Sequence, residues 1–160
     1  MCGITACLGE DSFDFCLQSL NQLQNRGYDS AGICSILNYL FINHKYASTE
    51  QNSSLDILKN YKPNHQECQV SIGHTRWATH GPKTDINSHP HICYQDLFSV
   101  VHNGIIENFQ QLKNFLIDRN VTFKSQTDTE VISNLLSYYY FLSKDILQSI
   151  SQTLSKLEGT

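Results

Sequence analysis

Positive charge is scarce in this chain. Eleven lysines and arginines stand against fifteen aspartates and glutamates, the net charge is −4, and no basic cluster appears. That speaks against nucleic acid and against anionic membrane surfaces as partners. Long apolar runs are also missing, so no segment reads as a bilayer span. The N-terminus has no positively charged region followed by an apolar stretch, so no signal peptide is expected. The six cysteines (Cys2, Cys7, Cys16, Cys34, Cys68 and Cys93) form no CxxC pair. Without a secretion signal they read as reduced thiols in a cytoplasmic protein. No internal repeat and no low-complexity tract is visible.

What is present suffices for one folded domain. The 160 residues are 40% hydrophobic and 16% charged, a globular balance. A chain of this length buries about 70% of its unfolded surface. A strand is expected at Ile4 to Leu8. A helix follows from Asp11 or Ser12, with Phe13, Cys16, Leu17, Leu20 and Leu23 at helical spacing and Gly27 as its stop. Ala31 to Ile36 and Leu40 to Ile42 read as a hairpin turning at Asn38. Leu55 to Leu58 reads as a helical turn, and Val70 to His74 and Leu97 to His102 as strands. Asn108 is expected to cap a helix carrying Phe109, Leu112, Phe115 and Leu116. Thr127 and Glu130 form a capping-box pattern for the next helix. A last helix around Asp145 to Leu157 presents Ile146, Ile150, Leu154 and Leu157, and stops at Gly159. Strands and helices mix without strict alternation, which favours an α+β class.

Chemistry enters at the second residue. The chain opens Met1-Cys2-Gly3-Ile4, so removal of Met1 would leave a thiol and an α-amine on one residue. An α-amine titrates near ~7.7–8.0 and can take the thiol proton without a histidine partner. The plain alternative is a small buried hydrophobe. Further reactive, glycine-rich segments lie at strand ends. They are Arg26-Gly27-Tyr28-Asp29-Ser30-Ala31-Gly32, then Gly73-His74-Thr75-Arg76-Trp77-Ala78-Thr79-His80-Gly81 with Asn87-Ser88-His89-Pro90-His91, then His102-Asn103-Gly104, and then Ser125-Gln126-Thr127-Asp128-Thr129-Glu130. Asn103-Gly104 alone reads as a turn. His89, His91 and Cys93, with His80 and Cys68, permit a zinc reading. Pro90 breaks the strand and the spacing is no standard finger, so no metal and no cofactor are expected.

Taken in order, these segments resemble the glutaminase domain of the glutamine–fructose-6-phosphate aminotransferase family. Those are class II glutamine amidotransferases of the N-terminal-nucleophile hydrolase superfamily. The resemblance runs from Cys2 to about Glu158. It implies an α+β fold of the αββα sandwich type over residues 1–160, C-terminally truncated. The family continues with further strands and with sugar-phosphate isomerase domains, which the sequence lacks. It implies that Cys2 hydrolyses L-glutamine to glutamate and ammonia, for glucosamine-6-phosphate synthesis from fructose 6-phosphate by a homo-oligomeric full enzyme. Asn103 and Gly104 match the family's oxyanion hole. Arg76 matches the carboxylate-binding arginine, Thr79 and His80 help hold that end, and Asp128 matches the residue that binds the substrate ammonium. Trp77 resembles a residue of the closing loop, with a packed core aromatic as the alternative. Arg26 resembles a supporting residue near the nucleophile, with a helix-end arginine as the alternative. Thr5-Ala6-Cys7 and Asn25 depart from the family's usual residues, which touches packing more than chemistry. The rival expectations are a non-catalytic remnant or interaction fragment of that enzyme, and a zinc-binding domain.

Overall fold

Among the described residues six strands and five α-helices follow one another, and two units divide them. The computed structural model describes residues 2–77 and 81–159, with Arg26 described by its backbone alone. The first unit is Met1–Pro90 with Val101–Asn103; the second is His91–Val100 with Gly104–Thr160.

The first unit is built on an antiparallel sheet of β1 (Gly3–Leu8), β2 (Ser30–Leu37), β3 (Leu40–Ala47) and β4 (Val70–Arg76), in the order β1-β4-β2-β3. Residues alternate along β1 between buried Gly3 and Thr5 and exposed Ile4, Ala6 and Leu8, the period of a half-covered strand. Helices α1 (Ser12–Gln22) and α2 (Ser54–Lys59) cover the buried side. There Phe13, Cys16, Leu17, Leu20, Ala31, Ile33, Leu55 and Leu58 form the core. The hairpin turns at Asn38 as expected. Asn38 and Tyr39 both have positive φ, 50° and 65°, the two-residue turn whose twist matches the strands. Gly27 is not the stop of α1. That helix ends at Gln22 and a 3₁₀ turn, Gln24–Arg26, follows. Glycine is needed at 27 because a Cβ there would lie 2.9 Å from the Arg76 carbonyl carbon.

A buried polar chain crosses this core. The Ser12 and Ser71 hydroxyls are 2.8 Å apart, and those of Ser71 and Ser35 2.7 Å. Ser35 Oγ is 2.7 Å from His65 Nδ1, and His65 Nε2 is 2.8 Å from His44 Nδ1. Burial, and secondarily the neighbouring His44, push His65 down to about 4; burial also lowers His44. Both rings are therefore neutral at pH 7, as such a chain of alternating donors and acceptors requires.

The second unit holds a short hairpin, β5 (His91–Ile92) with β6 (Ser99–Val100), and helices α3 (Phe109–Ile117), α4 (Thr129–Ser143) and α5 (Ile146–Leu154). Its core is Ile106, Leu112, Leu116, Val121, Val131 and Leu135. The strand expected from Leu97 to His102 shrinks to two residues. The Leu97 and Phe98 amides donate to the Cys93 sulfur, at 3.2 and 3.3 Å, and so close a turn.

The capping box also fails. Asp128 caps α4, while the buried Glu130 carboxylate accepts from the Lys124 and Ser125 amides and the Ser125 hydroxyl at 2.6–2.7 Å. Asn108 does not cap α3 with its side chain. It bridges instead to the Lys156 carbonyl and the Glu158 amide. Helix α5 turns Ser149 and Thr153 inward and leaves Ile146, Ile150 and Leu154 exposed. Small residues on that face let it pack closely on α4. Gly159 bridges antiparallel to Ile106 at φ 118°, where a Cβ would lie 2.1 Å from the Ile105 carbonyl oxygen.

Candidate functional site

Strand pairing gathers several candidate residues at one end of the four-stranded sheet. Gly3 pairs with Thr75 and Ser30 with Arg76. Cys2, the end of β4 and the start of β2 therefore converge. The register is locked locally: the Gly3 amide donates to Thr75 Oγ1 at 3.1 Å, and the Asp29 amide to the Arg76 carbonyl at 3.1 Å.

Cys2 is half-buried. The Trp77 amide donates to its Sγ at 3.2 Å, and its thiol faces the Trp77 carbonyl at 3.7 Å. Asn103 Nδ2 donates to the Cys2 carbonyl at 3.0 Å, and Asn103 Oδ1 lies 2.9 Å from His74 Nε2. A carbonyl can only accept, so the amide nitrogen faces Cys2, the amide oxygen faces His74, and His74 Nε2 carries the proton. Burial pushes His74 down to about 4, against the smaller opposing effect of its hydrogen bond to Asn103. The ring is neutral at pH 7.

Arg76 is buried at the end of β4, with its guanidinium 3.5 Å from the Pro82 and Gly81 carbonyl oxygens. Trp77 is 45% exposed and meets Tyr28 edge-on at 5.3 Å between centroids, so the packed core aromatic is not what the structure has. Arg26 ends the 3₁₀ turn that leads to Gly27. Thr79 and His80 lie outside the described residues.

Gly104 and Asp128 belong to the second unit. Gly104 is exposed with φ 156°. Asp128 is buried at the start of α4, where Oδ2 accepts from the Ile106 amide at 2.8 Å and Oδ1 from the Thr129 amide at 3.0 Å. The zinc reading gains nothing from geometry. His91 Nε2 is 2.9 Å from the Thr127 hydroxyl, and no group of three potential ligands gathers among the described residues. No helix among them is long and apolar enough to cross a membrane. A cleft of about 390 Å³ beside the start of α1, lined by Asp11, Asp14, Lys62, His65 and Cys68 among others, holds none of Cys2, Arg76, Trp77, Asn103, Gly104 and Asp128.

The residue that sequence reasoning passed over is His74. Its string offers Arg76, Trp77, Thr79 and His80 as candidates, and the contact to Asn103 is what adds the histidine. The available signal was a histidine at a strand position whose neighbours in β4 face the core.

The family model described as a glutamine amidotransferase domain matches residues 33–151. A glutamine–fructose-6-phosphate aminotransferase (isomerizing) of Caldanaerobacter subterraneus subsp. tengcongensis is 45% identical over 161 residues, covering 100% of this chain and 26% of that protein. A probable glutamine–fructose-6-phosphate aminotransferase of Acanthamoeba polyphaga mimivirus is 47% identical over 142 residues, covering 86% of this chain and 23% of that protein. The chain thus spans about a quarter of the length of these curated relatives. Among solved structures, the glutamine phosphoribosylpyrophosphate amidotransferase from B. subtilis superposes with a TM-score of 0.78 at 24% identity, covering 99% of this chain and 33% of that one. It supports the α+β amidotransferase fold.

Proposed function

The chain belongs to the glutamine amidotransferase domain family, and on that premise we propose that it performs the glutaminase half of a glutamine–fructose-6-phosphate aminotransferase reaction. The observation that carries this reading is the Asn103 amide donating to the Cys2 carbonyl, at the sheet end where β4 closes on Arg76 and the Trp77 amide meets the Cys2 sulfur. Once Met1 is removed, the Cys2 α-amine accepts the thiol proton and the thiolate attacks the side-chain amide carbon of L-glutamine. The developing oxyanion needs donors already in place. Asn103 has two N–H groups on Nδ2; one is spent on the Cys2 carbonyl, and the other serves the oxyanion. Gly104, by the family resemblance, supplies a backbone N–H. Collapse returns the proton from the Cys2 α-ammonium to the leaving nitrogen, expels ammonia and leaves a thioester on Sγ, which water hydrolyses to glutamate, freeing the thiol.

Arg76 suits the substrate α-carboxylate, because a guanidinium fork binds carboxylate through two parallel hydrogen bonds. Thr79 and His80 help hold that end. Asp128 takes the substrate ammonium: each of its oxygens accepts one backbone amide, and a carboxylate has lone pairs to spare. Trp77 is exposed beside the thiol, as a closing-loop residue would be, and Arg26 supports the site. The ammonia would serve sugar-phosphate isomerase domains of a longer, homo-oligomeric cytoplasmic enzyme that makes glucosamine 6-phosphate. Residues 1–160 are read as its class II amidotransferase domain, with no cofactor and no nucleic-acid or membrane partner.

A diazo-ketone analogue of glutamine tests the reading. It should label one of the six thiols, Cys2, and excess glutamine should protect it. Label found mainly on Cys34, Cys68 or Cys93 would overturn the assignment.

A further inference from the structure

The two ends of an asparagine amide are nearly the same size but opposite in charge. If Asn103 is to stabilise an oxyanion, its nitrogen must point at the substrate, and something must prevent the reversed rotamer. One determinant is the Cys2 carbonyl, which accepts only from nitrogen. The second is His74, 2.9 Å from Asn103 Oδ1.

Packing holds the His74 ring, whose Nδ1 is buried with no hydrogen-bond partner among the described residues, so its polar tie is the one at Nε2. It sits in β4 between Ile4 of β1 and Gly32 of β2, and is 1% exposed. Its ring stacks on His89 at 4.2 Å and 21°. His89 is fixed in turn, because its Nδ1 accepts from the His102 amide at 3.4 Å. Its carbonyl oxygen also rests where a Cβ on Gly32 would come within 2.1 Å, so only glycine at 32 lets the His89 backbone approach. A ring clamped this way presents its N–H along one line.

We infer that His74 is a positioning residue, whose Nε2–H holds Asn103 Oδ1 and thereby keeps the Asn103 nitrogen turned toward Cys2 and the reacting carbonyl. The inference rests on the reading of Asn103 as an oxyanion donor. His74 does not act as a base for the thiol. Its proton-bearing nitrogen is committed to Asn103, and the thiol's neighbours are the Trp77 amide and carbonyl. Burial keeps the ring neutral, so it can hold this donor role without adding a charge beside the nucleophile.

The test is a double-mutant cycle on glutamine hydrolysis. His74→Leu should lower kcat about tenfold or more, the usual order for losing the partner that orients a functional group, and should leave KM for glutamine within about threefold. His74→Gln, which can place an N–H near the position of Nε2, should restore most of the loss. In an Asn103→Ala background, His74→Leu should cost less than about twofold, because its effect passes through Asn103. Alkylation of Cys2 by iodoacetamide should proceed at the parent rate in both variants. His74→Met replaces His74→Leu if the latter does not fold. A parent kcat in the Leu or Met variant would overturn the inference, and so would a loss that simply multiplies with Asn103→Ala, or no recovery with Gln. Should Asn103→Ala itself leave kcat unchanged, the oxyanion reading fails. Should Asn103→Ala slow the reaction while His74→Leu does not, only the role of His74 fails.

Discussion

Arg76 and Asn103 differ in what a substitution should change. Arg76 is proposed to grip a part of glutamine that does not react, so its contribution is equal in ground and transition states. Arg76→Lys keeps the charge and loses the planar fork. The expected outcome is a KM for glutamine raised about tenfold with kcat nearly unchanged. Asn103 is proposed to act where charge develops, so Asn103→Ala should lower kcat by ~10²–10³ with little change in KM. Steady-state kinetics on both variants separates the two roles. A fall in kcat for Arg76→Lys as large as that for Asn103→Ala would show that the arginine orients the reacting carbonyl too.

At the scale of elements, the start of α4 is the most heavily tied point in the second unit. Buried Glu130 takes three hydrogen bonds from Lys124 and Ser125. Removing the carboxylate orphans buried donors, at ~1–3 kcal/mol each, partly relieved by relaxation. Glu130→Ala should therefore destabilise by about 3 kcal/mol, read as a lower urea midpoint. A change under about 1 kcal/mol would mean water replaces the carboxylate. The same segment marks the limit of reading elements from sequence. Thr127 and Glu130 have capping-box spacing, but Glu130 finds better donors upstream and Thr127 turns to His91. Periodicity locates α5 but picks out the stripe of Ile146, Ile150 and Leu154, which is exposed, whereas the small residues Ser149 and Thr153 face inward. The Asn38 turn, β1 and α1 were legible because alternation, helical spacing and turn chemistry act locally. The candidacy of Cys2, Arg76 and Asn103 was legible through their strings. The role of His74 was not, because it depends on β4 register and on a loop that packs against it from residue 89.

Across the whole molecule, neutral buried histidines tie stability to pH. His65 and His74 are both pushed from the ordinary 6.5 down to about 4, chiefly by burial, and His44 is lowered as well. Below pH 6.5 the unfolded chain binds protons that the folded chain refuses, so stability falls as pH falls. The loss begins near 6.5 and levels off near 4. Each of the two fully buried rings contributes about 1 kcal/mol per pH unit within that window. Urea midpoints should be flat in these groups above pH 7 and drop between pH 6.5 and 4.5, and His65→Gln should make the drop shallower. An unchanged midpoint from pH 7 to pH 5 would show that the rings protonate in place.

Trp77 is the sole tryptophan in the sequence, and its own amide touches the Cys2 sulfur. The molecule thereby carries an intrinsic fluorophore on the residue whose amide meets the proposed nucleophile, half open to solvent and edge-on to Tyr28. Excitation of that indole gives an emission signal free of background from any other tryptophan. Sulfur is a quencher, so alkylating Cys2 should change the emission intensity in step with loss of the thiol, while modifying Cys68 or Cys93 should leave it unchanged. Stopped-flow emission would then time acylation and deacylation directly, without a coupled assay or an attached dye. A signal that stays constant while mass spectrometry records full modification of Cys2 would show that the indole is optically blind to the sulfur beside its backbone.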